Sequence, residues 1–114
     1  MATDWVTLAK EVNSNGMELY KKSTGTMSAF SKLAAAATAD GVLDKKTKEL
    51  MAVAIAIVGG CEGCIAYHAQ AAIKAGATEA EFLETIGVAI EMGGGPATVY
   101  GGQALEAYAA LSAG

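Results

Sequence analysis

Proline is almost absent from this chain of 114 residues, occurring once at Pro96, and aromatic residues make up only 6%. Alanine is abundant, and leucine, methionine, glutamate and lysine add to it, so the composition favours helix and offers little material for strands. No segment alternates polar and apolar residues with a period of two between turns, and no internal repeat is visible. Excess positive charge is also missing: the formal net charge is -4, and no basic stripe occurs, which excludes a general nucleic-acid binder. The doublets Lys21-Lys22 and Lys45-Lys46 are short and read as solvated faces. The apolar run from Leu50 to Val58 is too short to span a bilayer. The opening MATDWVTLAKEV lacks the basic start and apolar core of a signal peptide. We therefore expect a cytoplasmic protein with no membrane contact.

What is present points to one folded domain over residues 1–114. Hydrophobic residues are 53% and charged residues 18%, which is no composition for a disordered chain. An alanine-rich domain of this size has few bulky side chains for a core, so we expect it to bury further apolar surface against copies of itself.

The pattern predicts five or six helices. Trp5, Leu8, Val12, Leu19 and Tyr20 suggest one or two amphipathic turns, with Asn13-Ser14-Asn15-Gly16 as a possible break. A second helix is expected from about Thr24 to Ala39, ended by Asp40-Gly41. Asp44 is a candidate N-cap for a third helix through Glu49 to Val58, with Gly59-Gly60 as its stop. A fourth helix should start near Cys61 and end at Gly76. Thr78-Glu79-Ala80-Glu81 reads as a capping box opening a fifth helix to Met92. After the loop Gly93-Gly94-Gly95-Pro96, a candidate lining for a pocket mouth, a last helix runs through Leu105, Tyr108 and Leu111.

The chemistry is concentrated in the spacing E-x11-C-x2-C-x3-H, formed by Glu49, Cys61, Cys64 and His68. These are the only cysteines and the only histidine, gathered within eight residues. On one helix Cys61, Cys64 and His68 share a face, and His68 stands one turn from Cys64, within reach of its sulfur directly or through a water. Thiolate is the reactive form of cysteine, and the amides and dipole of a first helical turn favour it. Cysteines three apart at a helix start can also form a disulfide. If helices three and four fold back around Gly59-Gly60, Glu49 and His68 come out at nearly the same level. A carboxylate there would orient the imidazole and stabilise its charged form. Tyr67 points about 100° away from His68 around the helix and is expected in the core or an interface. Glu62 is expected to be exposed.

The segment from Gly41 to Ile90 resembles the AhpD-like, carboxymuconolactone decarboxylase superfamily. The matching pieces are the helix start G-x-L-D-x-K-x-K-E-L, the core C-x-x-C-x-x-x-H and the helix break K-x-G-A-T-x-x-E. The resemblance is to the thiol branch and to its small single-domain members. It implies an all-helical AhpD-like fold with the thiol pair at the start of a central helix, assembling as trimers or hexamers. It further implies a peroxidase and disulfide reductase of alkylhydroperoxidase type with no cofactor. In that activity the residue matching Cys64 attacks the peroxide, and the one matching Cys61 resolves the sulfenic acid to a disulfide. The one matching His68 is the base, Glu49 completes the proton relay, and an external dithiol restores the pair. A longer alkylhydroperoxidase of the family has a histidine between its cysteines, where this chain has Glu62-Gly63. True lactone decarboxylases lack the cysteine pair, so that activity is not carried over.

Two other functions are compatible with the same residues. Cys61, Cys64 and His68, with Glu49 as a fourth donor, are a candidate zinc set. Glu49 and His68 alone are a candidate acid and base for a non-redox lyase or isomerase.

Overall fold

The computed structural model of the protein describes residues 3–113. Its elements are six helices: α1 (Trp5–Lys22), α2 (Thr24–Thr38), α3 (Lys45–Gly59), α4 (Glu62–Lys74), α5 (Glu79–Gly93) and α6 (Gly95–Ser112), with no strand among the described residues. The all-α architecture expected from composition is what forms.

Local chemistry sets the boundaries. Asp44 caps α3 by accepting the Thr47 amide at 2.8 Å, and these Thr47 hydrogen bonds hold its carboxyl below the usual range. Thr78 and Glu81 make both arms of the capping box that opens α5. Glu81 also accepts an ion pair from Lys46 Nζ at 2.8 Å, which ties the start of α5 to the start of α3. Pro96 lies in the first turn of α6, where its missing N–H costs nothing.

The helices α3, α4, α5 and α6 enclose the core, with Val53, Ile57, Ile65 and Phe82 fully buried among alanines. α3 and α4 form an antiparallel hairpin, α5 packs on α3, and α6 closes against α4 and α5. Alanine and glycine at the contacts let these backbones approach closely. At Gly101 a Cβ would stand 2.8 Å from Ile86 Cγ2, so α6 lies on α5 with no room for a methyl group. Gly101→Ala is therefore expected to destabilise the domain by about 1–3 kcal/mol, the usual cost of overpacking. Urea denaturation checks this: an unchanged midpoint would mean that α6 shifts freely on α5.

α1 crosses α4 and touches α6, and it is one continuous helix. The possible break at Asn13–Gly16 does not occur. Its two ends of contact explain this. Trp5 is 1% exposed and donates from Nε1 to Glu106 Oε1 at 2.6 Å, and Val12 packs on Gly63 of α4. A glycine inside a helix costs only about 1 kcal/mol relative to alanine, which such packing outweighs. α2 folds back from α1 at Ser23, contacts only α1 and α3, and has no buried residue. No described helix is long and apolar enough to cross a membrane.

Candidate active site

The turn between α3 and α4 builds the site. Gly60 adopts φ +67°, a left-handed conformation that glycine takes without steric penalty, and the Tyr100 ring lies against it. This sharp reversal delivers Cys61 to the N-cap of α4, where its Sγ accepts the Cys64 amide at 3.2 Å. Cys61 and Cys64 are joined as a disulfide, with Cα atoms 5.2 Å apart. The pair sits on the first turn of α4, whose unpaired amides and positive dipole end favour negative charge on sulfur once the bond is reduced. Gly63 between them is needed for the approach of α1, because a Cβ there would stand 3.3 Å from Val12 Cγ2. Cys64 is exposed and Cys61 half-buried, so the second sulfur is the more open to small molecules.

His68 follows Cys64 by one turn, and its Nδ1 lies 3.4 Å from Glu49 Oε2. The two side chains come from facing helices, as the level count around the turn predicts. Glu49 is the one charged residue buried among the described residues, at 3% exposure. A carboxylate kept from water has no better partner than the imidazole beside it. With Nδ1 turned to Glu49, Nε2 is the nitrogen left for chemistry. Among the described residues no hydrogen bond joins His68 to either sulfur, as suits a disulfide that has no thiol proton to give. Tyr67 stands edge-on to His68, with ring centroids 5.0 Å apart.

Cys61, Cys64, Tyr67 and His68 open on a single cleft of about 830 Å³ between α4 and the α1–α2 hairpin. The far wall is apolar: Val12, Met17 and Tyr20 from α1, and Met27, Phe30 and Ala34 from α2. These wall residues escape a reading of the motif alone. Their signal was the run Met27, Phe30, Ser31, Ala34, Ala35 and Thr38, which recurs at helical spacing along one side of α2.

Three expectations need correction. Tyr67 is 47% exposed at the cleft edge, so of its two expected places the core is not the one it takes. Glu62 is half-buried, because its carboxylate accepts the Thr3 hydroxyl at 3.2 Å. The Gly93–Pro96 loop does not line the thiol cleft; Gly93 packs on Val58 and Ala97 instead. In the disulfide form the two sulfurs offer no thiolate to a metal, and no group of three potential donor side chains gathers among the described residues.

A six-helix domain with a paired-cysteine turn backed by a buried carboxylate and an imidazole is that of a thiol-bearing helical protein of the carboxymuconolactone decarboxylase type. The chain belongs to the carboxymuconolactone decarboxylase family, whose sequence profile matches residues 25–107, well beyond the Gly41–Ile90 segment that carries the motifs. An uncharacterized protein of Cupriavidus necator is 40% identical over 99% of this chain and 100% of its own length. A crystal structure of the apo form of a family member from Legionella pneumophila is 44% identical and superposes with a TM-score of 0.93, covering 97% of this chain and 99% of that one. A Thermotoga maritima family member, provisionally linked to an antioxidative response, is 29% identical with a TM-score of 0.79, covering 97% and 92%.

Proposed function

We propose that the protein is a thiol-dependent, alkylhydroperoxidase-like disulfide reductase that reduces peroxides through Cys61 and Cys64. The observation that carries this reading is the disulfide at the head of α4 with the His68–Glu49 pair one turn away on the same cleft. In the reduced protein, His68 takes the Cys64 proton while Glu49 steadies the imidazolium. The Cys64 thiolate attacks the distal peroxide oxygen; an S–O bond forms, the O–O bond breaks, and the alcohol leaves with the proton held by His68. Cys61 then attacks the sulfenic sulfur, forming the disulfide and releasing water. An external dithiol reduces the disulfide and closes the cycle. The greater exposure of Cys64 suits the attacking sulfur, and the N-cap position of Cys61 suits the resolving one. The antioxidative link of the Thermotoga maritima relative agrees with this assignment.

The reading includes a homo-oligomer, a trimer or hexamer. Its support is an apolar face on α3 and α5, away from the cleft, where Ile55, Val58, Val88 and Met92 are each at least half exposed around a shallow groove. Intact mass tests the chemistry. One equivalent of organic peroxide added to reduced protein should remove two mass units, as two thiols become one internal disulfide. Retention of both thiols under excess peroxide would end the proposal.

A further inference from the structure

The cleft is much larger than a peroxide group requires, and its walls divide by chemistry. The sulfurs and His68 come to it from α4, Val12, Met17, Tyr20, Met27 and Phe30 from α1 and α2, and Lys45, at the start of α3, is the one lysine among its lining residues. Three lysines occupy the first turn of α3. Lys46 is paired with Glu81 at 2.8 Å, and Lys48 donates to the Ala39 carbonyl at 2.7 Å. Lys45 makes no ion pair among the described residues. The nearby carboxylates of Asp40 and Asp44 accept backbone amides, from Lys45 at 2.7 Å and Thr47 at 2.8 Å.

We propose that the cleft takes a medium-chain carboxylic acid bearing a hydroperoxide, with the carboxylate on Lys45, the chain along Met27 and Phe30, and the hydroperoxide at Cys64. The proposal rests on the peroxidase reading above and names its substrate class. Length follows from the helices. Lys45 lies one turn before Glu49 and Cys64 one turn before His68, on antiparallel helices, so the two are offset by about two turns, or 11 Å, along the helix axes, which is the least the chain must span. An extended chain covers roughly 1.1–1.2 Å per bond, which requires an acid of at least about eight to ten carbons. The reaction balances as before: the O–O bond breaks, the hydroxy acid leaves with a proton, and the two thiols supply both electrons. Apolar surface and one cation together select such an amphiphile over a small neutral peroxide.

The test compares a terminal hydroperoxide of decanoic acid with tert-butyl hydroperoxide, under dithiothreitol, in wild type, Lys45→Met and Lys45→Glu. Wild type should favour the acid in kcat/KM. Lys45→Met should reduce that preference about three- to fivefold through KM, the range of a partly exposed ion pair, and Lys45→Glu about tenfold or more. Added salt should shrink the wild-type preference. An equal preference in all three proteins overturns the carboxylate site. Calorimetric binding of decanoate to the disulfide form reads the same site without turnover, and an affinity untouched by Lys45→Glu likewise overturns it. Absence of any peroxide consumption by wild type defeats the peroxidase reading and the hydroperoxide with it, while decanoate binding still decides whether Lys45 holds a carboxylate.

Discussion

Replacing Cys64 with serine is expected to bring dithiol-driven peroxide consumption down to background, a loss on the order of 10³-fold or more. A serine hydroxyl has no accessible anionic form at neutral pH, and it cannot pass through the sulfenic acid that the cycle requires. The partner substitution should look different. Cys61→Ser leaves the attacking sulfur in place on α4, so reduced protein should consume one equivalent of peroxide quickly and then stall. Its intact mass should rise by one oxygen, or by one reductant where a mixed disulfide forms. Peroxide consumption and intact mass on both variants separate the two roles. The opposite pattern, with Cys64→Ser giving the burst and Cys61→Ser inert, would reverse the assignment made from their exposures.

His68→Ala should slow thiol oxidation at neutral pH by about 10²–10⁴-fold, the usual contribution of a positioned base. The sign of its pH response follows. Without the imidazole the Cys64 thiol has only the helix start to help it ionise, so the variant should recover rate as pH rises while wild type changes less. Glu49→Gln keeps the size of the buried side chain and removes its charge beside Nδ1. It should slow the same step by a smaller factor, and in the His68→Ala background it should add little, because the carboxylate acts through the ring. Stopped-flow oxidation of the four proteins measures this. A Glu49→Gln loss that persists in full without His68 would show that the carboxylate serves folding and not the relay.

The parts of this architecture that depend on neighbours in sequence were readable in advance. Asp44, Thr78 with Glu81, and Pro96 act within a turn of their own positions, so their spacing carries the information. The meeting of Glu49 and His68 was readable for a related reason: two regular helices around a tight turn can be counted in equal rises from the bend. Features that depend on distant residues were not. The continuity of α1 rests on Trp5 reaching Glu106 and on Val12 reaching Gly63, contacts that no local rule for Asn13–Gly16 contains. Glu62 looked solvent-facing because its partner, Thr3, is 59 residues away. The apolar wall from α2 was visible as periodicity, but which object that face would oppose depended on the path of the whole hairpin. The Gly93–Pro96 loop reads locally as a candidate lining for a pocket mouth, whereas its place is fixed by where α5 ends against Val58.

The bend at Gly60 has an evolutionary corollary. Glu49 precedes it and His68 follows it, so the length of chain across the bend works as a vernier on their alignment. One residue added within the first turn of α4 would advance everything after it by about 100° around the helix axis and swing the ring out of phase with the acid. Drift between Glu49 and His68 can therefore exchange side chains more readily than alter their number, and the joint between α2 and α3 is tied separately, by Lys48 on the Ala39 carbonyl and by the Lys45 amide on Asp40.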